Sequence, residues 1–265
     1  MKLYRGYIFD MDGVIYRGDD PIQDAVEAVN VLRKMGRKIV FVTNNSSKLA
    51  SEYKSILSNM GIAPLDEEDI ITSGNVAAKY LENELEKYPD KKRVLCIAED
   101  SVKSLLQAVG MEIIEPEDYR KADYVVVGFY KNFDWVLGTR AADAIATYGA
   151  RFIGTNPDPA RPVENNEIEA GTGAIISFIE TASHSKAVIM AKPYPEIYRM
   201  GLQRMSLETS EVLMVGDMLS TDIKGALDIG MDAALVLTGM TEREHIERLG
   251  IRPTFVVDGL KELIE

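Results

Sequence analysis

Short apolar runs rich in β-branched and aromatic residues recur along this chain, with segments of helical spacing between them, and this alternation leaves few architectures open. The runs are Tyr7-Ile8-Phe9, Ile39 to Val42, Val94 to Ile97, Tyr124 to Val127, Ala187 to Met190, Val212 to Val215, Ala234 to Leu237 and Phe255-Val256-Val257. Strands buried on both faces read this way. Between the first two runs, Ile22, Ala25, Val26, Val29, Leu32 and Met35 follow a helical period and stop at Gly36, the residue type that closes a helix in the left-handed conformation. Similar patterns stop at Gly61, Gly110, Gly230 and Gly250. Strand and helix in alternation predict an α/β fold with a parallel sheet and right-handed crossovers, not a sandwich or a bundle. A length of 265 residues allows one large domain plus an insertion, and no Pro/Gly/Ser-rich linker marks a boundary.

The formal net charge of −12 disfavours nucleic acid or an anionic membrane as partner, since either needs clustered Lys and Arg. The charge-dense stretches Asp66 to Asp69 and Asp90 to Arg93 read as solvated turns. Cys96 is the single cysteine, which excludes an internal disulfide and a cysteine zinc cluster and suits a reducing cytoplasm. The opening MKLYRGYIFD turns acidic before any signal-length apolar run, and no stretch approaches the ~18 apolar residues of a membrane span. The expected location is cytoplasmic.

Four apolar runs end in polar groups: Asp10-Met11-Asp12-Gly13 after Phe9, Thr43-Asn44-Asn45 after Val42, Ala191-Lys192-Pro193 after Met190, and Gly216-Asp217 after Val215. Open parallel sheets bind ligands at the carboxyl ends of their strands, so these four tips are expected to converge on one crevice. Asp10 and Asp12, two apart, share a face if the strand continues through them. Asp217 and Asp222 add carboxylates at another tip. Repulsion among such groups calls for a hard divalent cation with oxygen ligands, and Mg²⁺ is the expected ion. A calcium-binding EF-hand is excluded by spacing, because its fifth, sixth and twelfth positions hold Val14, Ile15 and Pro21.

The residue types assign roles. A carboxylate with a reference pKa of about 4 is ionised near neutrality and attacks phosphorus without the help of a base, which makes Asp10 the expected nucleophile. Asp12 is the candidate acid for the leaving oxygen and base for the hydrolytic water. Lys192, the Thr43 hydroxyl and the backbone N–H groups of Asn44 and Asn45 would neutralise the phosphoryl oxygens, with a helix expected to begin near Ser47.

In these residues the chain resembles the haloacid dehalogenase superfamily. Asp10-Met11-Asp12-Gly13-Val14 is similar to its first motif, Val42-Thr43-Asn44 to its second, Lys192-Pro193 to its third, and Gly216-Asp217…Thr221-Asp222 to its fourth. Asp12, two positions after the nucleophile, matches the phosphatases and phosphomutases rather than the dehalogenases or ion pumps. Asn45, Gly18, Thr155-Asn156-Pro157-Asp158 and Gly171-Thr172-Gly173-Ala174 extend the resemblance to the NagD-like, p-nitrophenylphosphatase-like subfamily. That resemblance implies a discontinuous Rossmann-like core, 1–75 and 185–265, with a type C2 α/β cap at 76–184. It implies Mg²⁺ held by the side chains of Asp10 and Asp217 and the backbone carbonyl of Asp12, with Asp222 in or just outside the ligand shell. It also implies Gly13 in the turn after the first strand, a possible homodimer, and small phosphorylated metabolites such as phosphoglycolate as substrates. Asn156, Asp158 and the segment Arg161 to Ile168 are the candidates for substrate recognition. Ala191 departs from the subfamily, which has Gly there.

Rival enzyme classes lack their residues. A Ser-His-Asp hydrolase has only His184 and His245 to draw on and no Gly-x-Ser-x-Gly, a Walker-type kinase motif is absent, and Gly171-x-Gly173 lacks the third glycine of a dinucleotide site. A phosphotransferase or phosphomutase sharing the same aspartyl phosphate, and a non-catalytic Mg²⁺/phosphate-dependent binding scaffold, remain open as alternatives.

Overall fold

The computed structural model describes residues 2–162 and 167–264; the side chains of Arg161 and Pro162 lie outside the description. Of the recognition segment Arg161 to Ile168, residues 163–166 therefore fall outside the described residues. Among those described, the strands in chain order are β1 (Gly6–Asp10), β2 (Tyr16–Arg17), β3 (Asp20–Pro21), β4 (Lys38–Thr43), β5 (Ile70–Thr72), β6 (Arg93–Ile97), β7 (Glu112–Ile113) and β8 (Tyr124–Val127). They continue with β9 (Arg151–Gly154), β10 (Ala160–Pro162), β11 (Ile168–Ala170), β12 (Val188–Ile189), β13 (Val212–Gly216), β14 (Asp232–Val236) and β15 (Phe255–Val257).

The chain forms two compact units. The first comprises Met1–Thr43, Ala50–Ile71 and Lys192–Glu265, and the second Asn44–Leu49 and Thr72–Ala191.

The first unit is built on a six-stranded sheet of order β15-β14-β13-β1-β4-β5. β1 pairs in parallel with β13 and with β4, placing Phe9 beside Val215 and Asp10 beside Val42. From β1 the chain fills one side of the sheet with β4 and β5, and later returns to fill the other with β13, β14 and β15. The order reverses between β1 and β13, which makes their carboxyl ends the crevice of the sheet. Tyr7 and Phe9 point to one face, where they join Phe41, Leu213, Val215 and the helix Gln23–Lys34 through Val26, Val29 and Leu32. Ile8 points to the other face, where the helix Pro195–Met205 comes so close that a Cβ on Gly201 would lie 2.9 Å from its Cδ1. Each large apolar side chain buried this way contributes about 1.5–3 kcal/mol. Helix Gln23–Lys34 ends as its sequence predicts: Gly36 takes φ +74°, and the N–H groups of Gly36 and Arg37 bond back to the carbonyls of Arg33 and Leu32.

The second unit carries a five-stranded sheet of order β12-β9-β8-β6-β7, parallel at every pairing. Its core joins Leu95, Ile97, Val125, Val127 and Phe152 to helices Trp135–Ala146 and Thr172–Ser183 through Ala141, Ile145, Ile176 and Ile179. No helix among the described residues is long and apolar enough to cross a membrane.

All eight apolar runs contain strands, but they divide between two sheets. The run Ala187 to Met190 yields only the two-residue β12, which pairs with β9 in the second unit. Lys192 is therefore not at a strand tip of the core sheet, as the sequence had suggested. It lies in the link between β12 and the helix Pro195–Met205, followed by a cis bond to Pro193. The helix expected near Ser47 begins at Ala50, because Ser47 N–H bonds to Asn45 Oδ1 at 2.9 Å and closes a side-chain turn instead. The stretch Asp66 to Asp69 is more than a solvated turn: Arg204 pairs with Glu68 at 2.8 Å and Asp69 at 3.0 Å.

Candidate active site

Asp10 ends β1 and Asp217 directly follows β13, so the two adjacent strands at the reversal of strand order deliver two carboxylates to one place. Asp222 joins them from the wide helical turn Leu219–Ile223, where Tyr198 Oη donates to the carbonyls of Thr221 at 2.8 Å and Asp222 at 3.2 Å. Carboxylate oxygens of Asp10, Asp217 and Asp222 all lie within 4.8 Å of one another. Lys192 Nζ, 3% exposed, sits 2.6 Å from Asp10 Oδ1 and 2.7 Å from Asp222 Oδ1.

Glycines make room for this crowding. A Cβ on Gly216 would fall 2.2 Å from the Cβ of Asp222, and one on Gly239 would fall 2.0 Å from Asp217 Oδ2. Gly13, at φ +76°, turns the chain after β1 as expected, so that Thr238 Oγ1 donates to its carbonyl at 2.7 Å. Backbone donors fix the acids: Met240 N–H bonds to Asp217 Oδ2 at 2.7 Å, and Met218 N–H to Asp222 Oδ2 at 3.0 Å.

Three carboxylates face one ammonium, and the imbalance shows in their proton affinities. Burial raises Asp10 well above the usual carboxylate range; Lys192 opposes that rise, while Asp222 and Asp217 add to it. Asp217 is pushed up to about 6 by burial and by Asp222, against the pull of the Met240 N–H. Burial would depress Lys192, but the charges and hydrogen bonds of Asp10 and Asp222 outweigh it and hold the ammonium protonated.

Asp12 stands apart from this cluster. The strand stops at Asp10, and the following turn, with Gly13 N–H bonded to Tyr16 O at 2.7 Å, leaves the Asp12 carboxylate outside the group of three. It is exposed to solvent yet walled in on several sides, and that partial desolvation raises its pKa in spite of bonds from the N–H groups of Gly13 and Gly18. Thr43 ends β4, nearly buried, with its hydroxyl bonded to Tyr53.

Asn44, Asn45, Asn156 and Asp158 belong to the second unit. Asn156 Nδ2 donates to Asn44 O at 2.9 Å and to Thr172 Oγ1 at 3.2 Å, while its Oδ1 accepts from Asp158 N–H at 3.2 Å. Its carboxamide thus shapes the turn that follows β9. Asn44 Nδ2 approaches the Asp158 carboxylate at 3.4 Å. Gly171 and Gly173 admit that turn, since a Cβ on either would strike the carbonyl of Asp158 or Pro157 at 2.2–2.3 Å. The Ala191 methyl is accommodated within the apolar cluster of this unit.

Gly239, Met240, Tyr53 and Tyr198 were not foreseen. Gly239 was within reach, because Leu237-Thr238-Gly239 follows β14 as Gly216-Asp217 ends β13. The tyrosines carry no local signal; only packing brings them to the site.

A family model described as haloacid dehalogenase-like hydrolase matches residues 7–112, and an HAD-hydrolase-like model matches residues 189–263. The chain is 33% identical over 264 residues to the 5'-nucleotidase YutF of Bacillus subtilis, covering 100% of this chain and 99% of that protein. It superposes on a p-nitrophenyl phosphatase from Archaeoglobus fulgidus with a TM-score of 0.90 and 32% identity, over 99% of each chain. A glycerol phosphate phosphatase from Mycobacterium tuberculosis, solved in complex with magnesium, gives a TM-score of 0.87 at 30% identity, covering 98% of this chain and 76% of that one. The chain belongs to the haloacid dehalogenase-like hydrolases. Within that class it is a phosphatase, a phosphoric monoester hydrolase resembling the p-nitrophenyl phosphatases.

Proposed function

We propose that this enzyme hydrolyses small phosphomonoesters with Mg²⁺ through a phosphorylated Asp10. The observation that carries the proposal is Lys192 held against Asp10 beside the carboxylates of Asp217 and Asp222. The donor set fits a hard divalent ion: three buried carboxylates within 4.8 Å, with one ammonium, retain excess negative charge and offer only oxygen ligands. Asp10, Asp217 and Asp222 would hold Mg²⁺, with the Asp12 carbonyl the additional ligand that the family resemblance implies. When bound, the ion would neutralise charge on the transferring phosphoryl group.

In the first step an Asp10 carboxylate oxygen bonds to phosphorus as the bond from phosphorus to the substrate oxygen breaks, and Asp12 gives that oxygen its proton. In the second, Asp12 takes a proton from water as the water oxygen bonds to phosphorus. The bond to Asp10 then breaks, which releases inorganic phosphate and restores both carboxyls. Partial desolvation raises the proton affinity of Asp12, the direction that a proton donor to the leaving oxygen needs. Lys192 orients Asp10 through Oδ1 and, with the Thr43 hydroxyl, would carry charge from the phosphoryl oxygens.

We assign the second unit the part of the inserted α/β cap, with Asp158 the foremost candidate for recognising the substrate beyond its phosphate. The relatives point to nucleoside monophosphates, p-nitrophenyl phosphate and glycerol phosphate as first substrates, with phosphoglycolate beside them. Phosphate release should require Mg²⁺, stop in EDTA and vanish in Asp10→Asn. Acid quenching during turnover of phosphate-labelled substrate should leave label on the wild-type protein and none on Asp10→Asn. Release without protein-bound label, or release that survives Asp10→Asn, would overturn the mechanism.

A further inference from the structure

A second charged cleft lies in the first unit at the opposite end of the sheet from Asp10. It encloses about 820 Å³ between the last turn of helix Gln23–Lys34, the amino end of β4, the turn at Pro64 and the end of helix Pro195–Met205. Lys38 opens β4 at this cleft and Thr43 ends it at the active site, so about 16 Å of strand separates the two. Five cationic side chains line it, Arg33, Lys34, Arg37, Lys38 and Arg204, against two acids, Asp66 and Asp69. That is a local excess of positive charge in a chain whose net charge is −12.

Structural roles explain part of the cluster. Arg33 and Lys34 occupy the last turn of their helix, where cations offset the macrodipole. Arg204 is committed to Glu68 and Asp69, and Lys38 Nζ donates to Met205 O at 2.5 Å. These roles leave three atoms unexplained. Nε of Arg33 and Nε of Arg37 are buried with no acceptor, and Asn30 Oδ1 is buried with no donor although its Nδ2 bonds to Gly61 O at 2.9 Å. All three belong to residues that line this one cleft. Arg33 reaches Asp69 only at 3.7 Å, and its burial lowers its proton affinity despite Asp69 and Asp66. The side chains of Arg33 and Arg37 are only half-buried at the cleft, and guanidinium groups so placed bind oxyanions through charge-assisted bonds.

We propose that this cleft binds a small polyanion of the oligophosphate class, at a site separate from the Asp10 centre. Phosphate oxygens accept from the guanidinium groups of Arg33 and Arg37, whose side chains line the cleft, and Lys34 adds long-range attraction. The volume falls within the usual range of ligand pockets, roughly 300–1,000 Å³.

Calorimetric titration of tripolyphosphate into wild-type protein in EDTA at low salt tests this. Without metal the Asp10 centre keeps its excess of carboxylates and repels the probe. One-site binding is expected, weakened about tenfold or more in the Arg33→Gln/Arg37→Gln variant and about threefold or less in Arg243→Gln, an equal loss of charge per residue elsewhere. Mg²⁺-dependent turnover without tripolyphosphate should be unchanged in all of them. If the double variant does not fold, as judged by circular dichroism, Lys34→Gln on the exposed helix end takes its place, with about threefold weakening expected. No binding by wild-type protein at millimolar probe would overturn the proposal, as would equal affinities in wild type and whichever cleft variant folds.

Discussion

Lys192 Nζ stands 2.6 Å from Asp10 Oδ1 and 2.7 Å from Asp222 Oδ1, so one buried ammonium fixes two carboxylates that arrive from different elements of the first unit. Replacing it with an apolar side chain of similar length leaves three carboxylates within 4.8 Å and no cation among them. Lys192→Met should lower kcat by at least about 10³ and destabilise the metal-free protein by about 3–5 kcal/mol, the usual consequence of removing one partner of a buried charge pair. Steady-state kinetics with urea unfolding in EDTA checks both numbers. Unchanged stability would show that the carboxylates do not depend on this ammonium.

Magnesium should stabilise the folded protein by mass action, about 2.7 kcal/mol at a hundred times its dissociation constant. Asp217→Asn removes one of the clustered carboxylates while keeping its shape, and should lose most of that gain. Thermal melts with and without the ion would show a rise in wild type and little in the variant.

At Gly239, as at Gly13, Asp217 leaves no room for a side chain. An added Cβ would lie 2.0 Å from Asp217 Oδ2 and push aside the carboxylate that Met240 N–H holds at 2.7 Å. Gly239→Ala should raise the Mg²⁺ concentration for half-maximal activity at least tenfold, with a smaller effect on KM for the phosphoester. Activity titrated against Mg²⁺ separates the two.

The proposed mechanism gives Asp12 two tasks, and p-nitrophenyl phosphate distinguishes them because its leaving group needs little protonation. Asp12→Asn should reduce turnover by about 10²–10⁴ by slowing attack of water, so labelled protein accumulates rather than disappears. Acid quench during turnover measures that accumulation, and loss of label together with loss of turnover would remove Asp12 from the second step.

Acid should weaken the second unit through Asp123. Burial alone would raise this carboxyl, but the side-chain and backbone bonds from Arg93 outweigh it and hold it below the usual carboxylate range. A carboxyl depressed on folding adds stability above its unfolded pKa, about 3.9, and loses it as pH falls through the lower folded value. Asp123→Asn should therefore melt below wild type at pH 7, and the gap should narrow below about pH 4.

The strand runs and the glycine stops of this chain are local patterns, and the sequence was sufficient for them. Gly36 ends its helix because its missing Cβ removes the penalty for φ +74°, a property of that residue wherever it occurs. The polar ends after Phe9, Val42 and Val215 were legible for the same reason, since each sits one or two residues beyond an apolar run.

Strand pairing, by contrast, depends on partners distant in the chain. The run Ala187 to Met190 looks like the other seven, yet β12 pairs with β9 and leaves Lys192 to reach Asp10 from a loop. Asp10 and Asp12 look equivalent in sequence, and only the turn through Gly13 separates a clustered carboxylate from an exposed one. Sequence determined which side chains this protein could bring to the crevice of its sheet. Tertiary structure decided which of them meet, because burial, charge and hydrogen bonding act across space between residues as distant in the chain as Asp10 and Lys192, 182 positions apart.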